Sequence, residues 1–142
     1  MVKKIILFVL LCILAGGAFG LYAWFKPHES IGTPKYSVSA KELASEFSSH
    51  ETEATKKYVS SDKDMVVIQV SGVISSIQKD TSGISLSLDT GDPLLGVSCT
   101  LDKFTKQPRS DFKTGEQVLL KGICTGKLSD VIMDRCVIEK KE

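Results

Sequence analysis

The sequence predicts a mainly β domain, a small five-stranded closed barrel, carried behind one N-terminal transmembrane helix. Three observations lead there. Gln117 to Ile138 holds two apolar, β-branched runs around a polar break at Gly126 to Asp130, which reads as a hairpin. Residues 65–101 hold three more β-rich runs separated by turn residues. Ile5 to Phe25 is an uncharged apolar stretch of 21 residues. With 142 residues, the chain has room for one modest domain and an appendage.

The apolar stretch comes first. At about 1.5 Å rise per residue it spans about 30 Å, the thickness of a hydrocarbon core. Tyr22 and Trp24 lie near one end, where interfacial aromatics belong. Lys3 and Lys4 precede the stretch, so the positive-inside tendency puts the N-terminus in the cytoplasm and the C-terminal domain outside. Ala15, Gly16, Gly17 and Ala18 also have the small-residue composition of a signal-peptide cleavage site. An uncleaved signal-anchor over residues 1–25 is the preferred reading, because cleavage there would leave Phe19 to Phe25 as an apolar stub. A lipid anchor on Cys12 is disfavoured by the bulky Leu11 before it. Gly16 and Gly20 have the GxxxG spacing that packs transmembrane helices, a pattern that also arises readily in any glycine-rich span.

Residues 26–38 carry Pro27, Gly32 and Pro34 without periodicity and read as a linker. The domain proper is expected over 39–139. Ser39 and Glu42 have capping-box spacing at a helix start, and Leu43, Phe47, Ala54 and Tyr58 follow on one side. One or two short amphipathic helices over about 39–58 should therefore pack on the barrel, with a break near Ser48-Ser49.

The barrel is expected over about 64–139. Met65 to Ile77 is a long strand with Gly72 marking a bulge or bend. Ile84 to Leu88 alternates apolar residues with Ser85 and Ser87, and Leu95 to Leu101 is a third strand presenting Ser98 and Thr100. Asp102 to Lys113 leaves space for a small helix or an irregular loop. In the closing hairpin Val118, Leu120, Gly122 and Cys124 alternate onto one face. Five strands, the first long and bent, with an interruption between the third and fourth, fit the OB-fold, a Greek-key barrel.

A resemblance rests on particular residues: Lys57-Tyr58, Val70-Ser71-Gly72-Val73, Val97-Ser98-Cys99, Lys113 to Val118, Lys121 to Gly126 and Asp130 to Cys136. Together they resemble the bacterial tRNA_anti-like OB-fold domain over roughly Ala40 to Ile138. That resemblance implies an exported, lipid-anchored or membrane-anchored protein of the bacterial cell envelope, periplasmic or extracellular in its C-terminal part. The family's name reflects fold similarity to anticodon-binding domains and does not itself imply tRNA binding.

Charge bears on the ligand. The formal net charge is +1, and setting aside Lys3 and Lys4 leaves 16 basic against 17 acidic residues. OB-folds that hold single strands combine a basic groove with aromatic stacking platforms. The outward positions of strands two and three are Ser85, Ser87, Ser98 and Thr100, which argues against nucleic acid. A single-stranded nucleic-acid-binding OB-fold protein is the alternative reading.

Three cysteines fall in the domain, where an exporting compartment allows disulfides. Thr125 opposite Val131 would leave Cys124 and Cys136 four positions out of register, about 13 Å apart at strand rise and beyond bridging distance. Strands three and five are neighbours in an OB barrel, so Cys99 and Cys136 are the favoured disulfide candidates. Cys124 is an alternative partner if a bulge shifts the hairpin, and three free thiols are also open. A three-cysteine metal site lacks a fourth ligand, since His28 and His50 have no ligand spacing. Gly122 to Lys127 has neither the spacing nor the following helix of a phosphate loop. Asp130 and Asp134 are too far apart along a strand for a glycosidase pair.

The expectation is thus a non-catalytic binding or assembly module without a cofactor, not an enzyme. Its partner would be an envelope protein, a peptide or a glycan, with the oligomeric state open. The candidate ligand loops carry Lys79, Asp80, Asp92, Lys127 and Asp130.

Overall fold

The computed structural model describes residues 1–25 and 31–139. Val2–Phe25 forms helix α1, long and apolar enough to cross a membrane and with no residue buried against the rest of the chain. Most of the expected linker lies within the described residues, but Lys26 to Ser30, including His28, lie outside them. The remainder differs from expectation. Ile31 is buried, and Tyr36–Ser39 forms strand β1, parallel to the next strand with Tyr36 opposite Ile68.

The barrel comprises β2 (Val67–Asp80), β3 (Gly83–Asp89), β4 (Val97–Leu101), β5 (Gln117–Lys127) and β6 (Val131–Ile138). Its order is β2-β3-β4-β6-β5, and β5 returns to pair with β2. Only β4 with β6 is parallel within it. This is the closed five-stranded OB barrel, with β1 as an added strand. Closure leaves no barrel strand with an unpaired edge, which suits a domain this small. The interruption between β4 and β5 contains no helix.

Alternation places the core. Val70, Ile74, Leu86, Leu88, Val97, Cys99, Val118, Leu120, Cys124, Val131 and Met133 all point inward and are buried. β2 pairs with β5 through Val73 and with β3 from Val73 onward, so the strand turns a corner there. Gly72 lies at that corner, but the bulge falls between Ile74 and Ser76. A Cβ on Gly72 would lie 3.0 Å from Ala40 Cβ and 3.2 Å from Leu88 Cδ1, so the glycine admits a helix onto the strand.

That helix is α2 (Ala40–Ser49), followed by α3 (Glu51–Tyr58). The Ser39 hydroxyl accepts from Glu42 N–H at 3.1 Å, which starts α2 where the capping spacing expects it. The break falls at His50, one residue beyond Ser49. Leu43, Phe47 and Tyr58 have no exposed surface and join the inward barrel residues in one core. The helix pair therefore lids the barrel end at which the β3–β4 loop and the β5–β6 turn emerge. Tyr58 OH donates to Glu46 Oε1 at 2.9 Å, and Lys57 pairs with Glu46 at 3.3 Å, tying α3 to α2.

The closing hairpin departs from the expected register. Lys127 lies opposite Val131, so the turn is only Leu128 to Asp130. Two bulges interrupt the pairing and cancel. Thr125 is the extra residue on β5, between Cys124 opposite Met133 and Gly126 opposite Ile132. On β6 the extra residue falls between Asp134 and Val137, because Ile123 opposes Asp134 and Lys121 opposes Val137. Arg135 there adopts φ 51°, outside the range of regular strands. Strict alternation from Met133 would have turned Arg135 inward and Cys136 outward. The bulge reverses that, leaving Arg135 exposed and Cys136 buried. Because Lys127 rather than Thr125 opposes Val131, Cys136 comes opposite Gly122, two positions from Cys124 where the sequence expects four.

Gly122 makes room for this. A Cβ there would lie 2.7 Å from Cys136 Sγ and 3.1 Å from the Asp134 carbonyl oxygen. Replacing Gly122→Ala is expected to destabilise the domain by about 1–3 kcal/mol through overpacking against backbone. Urea unfolding of the variant measures this, and wild-type stability would contradict the packing described.

Candidate functional site

The candidate site residues of the sequence divide between the two ends of the barrel. Lys79 and Asp80 stand at the β2–β3 turn, whereas Asp92, Lys127 and Asp130 stand at the lidded end. Each also has a contact within the fold. Lys79 Nζ donates to Ser110 O at 3.3 Å, and Lys127 pairs with Glu51 at 3.7 Å. Asp80 accepts from Ser82 N–H, Ser82 OH and Gly83 N–H, and the Ser82 hydroxyl bond lowers its pKa most. Asp92 accepts from Leu94 N–H at 2.8 Å, and Asp130 from Gly96 N–H at 3.0 Å. These are turn contacts, in which a carboxylate satisfies amides that no strand reaches. The structure does not assemble the five into one site.

The cysteines do come together. Cys99, Cys124 and Cys136 are buried free thiols, and the Cys136 thiol donates to the Asp134 carbonyl at 3.8 Å. Burial pushes the Cys124 thiol up to about 11, so it is held protonated and unreactive. Among the described residues, no group of three or more His, Cys, Asp or Glu side chains could hold a metal ion.

Two outward surfaces of the barrel strands present side chains to a ligand. On β3 and β4, Ser85 lies opposite Thr100 with their hydroxyls 3.3 Å apart, and Ser87 lies opposite Ser98. This is the strand face on which OB-folds hold extended ligands. Here it is a ladder of half-buried small hydroxyls without an aromatic ring.

The second surface is a groove of about 550 Å³ on the β2–β5 side, lined by Ser71, Pro108, Arg109, Glu116 to Leu119, Ile138 and Glu139. The alternation that buries Val70, Val118 and Leu120 turns Ser71, Gln117 and Leu119 outward to form its floor. The chain between β4 and β5 forms its wall, and a sequence-distant contact holds that wall. Gln107 Nε2 donates to Cys136 O at 3.1 Å, and its Oε1 accepts from Ile138 N–H at 3.0 Å. The side chain thus continues the ladder past the end of β4 at Leu101. Phe112 is buried beneath the wall, and Arg109 lies 5.1 Å over its ring. Arg109 also pairs with Glu116, whose other oxygen accepts from Lys113 N–H at 3.2 Å. On the other side Glu139 bonds Gln69 and lies 3.7 Å from Lys121. The groove therefore combines apolar patches from Pro108, Val118, Leu119 and Ile138 with polar Ser71 and Gln117 and a rim of both charge signs.

The sequence model of the tRNA_anti-like family matches residues 1–138, which takes in α1, the lid and the whole barrel. The chain belongs to the tRNA_anti-like family. No curated protein matches it. A similar solved structure is from Klebsiella pneumoniae subsp. pneumoniae MGH 78578 and is described as a "putative nucleic acid-binding lipoprotein". It is 14% identical, with a TM-score of 0.49, and the match covers 72% of this chain and 91% of that one.

Sequence reasoning missed the groove in this family member. Its wall depends on Gln107 and Arg109, which lie in a stretch without periodicity; the only local signal was an arginine seven residues before a glutamate.

The Arg109 hydrogen bond holds the Glu116 carboxyl below its ordinary value of 4.5, against opposing desolvation. A depressed carboxylate contributes stability that is complete above the ordinary value and is lost as pH falls through the folded one. Carboxyl ¹³C titration should find Glu116 below 4.5 in the wild type and nearer to it in Arg109→Ala. The same midpoint in both proteins would contradict the pairing.

Proposed function

We propose that the protein is a membrane-anchored, non-catalytic binding module that holds a peptide segment of an envelope protein in the groove beside Leu119. The N-terminal helix would stay in the membrane with Lys3 and Lys4 on the cytoplasmic side and the barrel outside. The groove itself carries this reading. Leu119, Val118, Pro108 and Ile138 suit apolar side chains, and Ser71 and Gln117 offer hydrogen bonds to a backbone. The Arg109–Glu116 pair on one side and Glu139 on the other suit a chain bearing both charge signs. A polyphosphate backbone would instead meet two carboxylates and no stacking ring. No nucleophile–base pair or converging carboxylates lie in the groove, which supports binding without chemistry.

The tether supports the membrane part of this reading. Six residue steps separate Phe25, at the end of α1, from Ile31, which is docked against Val67 and Val137. At about 3.3–3.6 Å per residue that allows at most about 20 Å. A barrel so anchored works within reach of the membrane surface, where an envelope partner is concentrated.

A photo-crosslinking residue at exposed Gln117 in the full chain, irradiated in membranes, is expected to yield defined protein adducts. The same residue at exposed Glu53 on α3 should yield none of them. The absence of any Gln117-specific adduct would overturn the groove assignment. Retention of the purified protein on single-stranded DNA or RNA, weakening steeply with salt, would favour the nucleic-acid reading instead.

A further inference from the structure

The barrel end that the helices cover is also the end at which the chain arrives from α1. Lys35 N–H donates to Val67 O at 2.7 Å, and β1 then runs parallel to β2 with Tyr36 opposite Ile68. Ile31, before them, packs on Val67, the first residue of β2. The chain therefore joins the domain beside the start of β2, on a tether of at most about 20 Å from Phe25. β2 runs on for 14 residues, so the β2–β3 turn lies at the opposite end.

Three loops emerge at the end of entry, and each exposes one large apolar side chain. Met65 is 62% exposed just before β2, Leu94 85% between β3 and β4, and Leu128 80% in the β5–β6 turn. Among the described residues beyond α1, the other two large exposed apolar side chains stand elsewhere, Val73 at the β2 corner and Phe104 between β4 and β5. One exposed leucine on a domain surface needs no explanation. Three apolar tips at one end form a pattern, since the opposite turn is Asp80-Thr81-Ser82. The loops are held by polar contacts that do not need them. Asp92 accepts from Leu94 N–H at 2.8 Å, and Leu128 N–H donates to Asp130 O at 3.0 Å. The Asp130 carboxylate accepts from Gly96 N–H at 3.0 Å and so ties the two loops together, while Ser60 N–H donates to Cys124 O at 3.3 Å.

We propose that Leu94, Leu128 and Met65 dip into the lipid–water interface, so that the barrel stands on its lidded end. This rests on the reading that α1 stays in the membrane. Val67 lies opposite Ile123, and Leu128 follows five residues further along the chain. At strand rise that is about 16 Å, within the reach of the tether. Charges beside the tips are of both signs, with Lys63 between Asp62 and Asp64 and Lys127 paired with Glu51 at 3.7 Å. Apolar burial, not attraction to anionic headgroups, therefore holds the contact. Three side chains would not keep a free domain at a membrane. On so short a tether the contact is intramolecular, and weak insertion suffices to set orientation. The groove, with Ser71 and Gln117 further along the strands, stays clear of lipid and open to a partner.

The test uses the full chain in phosphatidylcholine vesicles, with and without lipids carrying a nitroxide quencher high on the acyl chain. Trp24, the single tryptophan, reports the anchor. An environment-sensitive dye is attached through Ser129→Cys, Pro93→Cys or, at the far end, Thr81→Cys, each exposed, in a Cys12→Ala background. Cys99, Cys124 and Cys136 are buried and stay unlabelled. Dyes at 129 and 93 are expected to emit at shorter wavelength and to be quenched several-fold more than at 81. Leu94→Ser with Leu128→Ser should return the dye at 129 to the level seen at 81 and leave Trp24 quenching unchanged. Quenched Trp24 with the three dyes alike, or dye quenching indifferent to the serines, would overturn the docking and leave the anchor standing. Unquenched Trp24 would overturn both.

Discussion

The lid on the barrel is the contact on which the rest of the structure depends. A five-stranded barrel buries its inward side chains laterally but leaves an end open, and this chain fills the β3–β4 end with Leu43, Phe47 and Tyr58. Each such side chain contributes about 1.5–3 kcal/mol on burial. The interruption between β4 and β5 has no helix to offer, so the closure comes from residues that precede the barrel. Those residues follow the apolar helix closely. Closure of the domain is therefore set by one segment, from Ile31 to Tyr58.

The same segment explains why residues 31–38 dock on the barrel where a linker was expected. Ile31 covers Val67 and Val137 on the outer face of the barrel, and β1 then runs beside β2 into the Ser39 cap. Proline and glycine in that stretch spoil periodicity without preventing a short parallel strand. Composition alone does not distinguish such a docked strap from a free tether.

What was legible in the sequence is what period and capping express. Ser85 and Ser87 against Leu86 and Leu88 fixed the faces of β3, and Ser39 with Glu42 marked the start of α2. The bulges in the closing hairpin were not legible, because a bulge is chosen by what the two strands must bury together. Arg135 in strict alternation would have entered the core; the cost of burying its charge exceeds that of one irregular residue. Register arithmetic that starts from a turn two residues too long on β5 puts Cys136 too far from Cys124. The groove was hidden for a related reason. Gln107 completes a ladder with its side chain, and nothing local in Asp102 to Lys113 marks it. The acidic turn residues that looked available for a ligand are occupied by backbone amides, as short carboxylates in tight turns generally are. Membership of the tRNA_anti-like family agrees with the barrel and leaves the ligand to be argued from the groove.

Native-state hydrogen exchange tests the dependence on the lid most directly. If the lid closes the core, amides of α2 and α3 should exchange with the same opening free energy as those of β4 and β6, as one cooperative unit. Helices that exchange at much lower free energy while the strands stay protected would contradict the account and make the lid an accessory to a barrel stable without it.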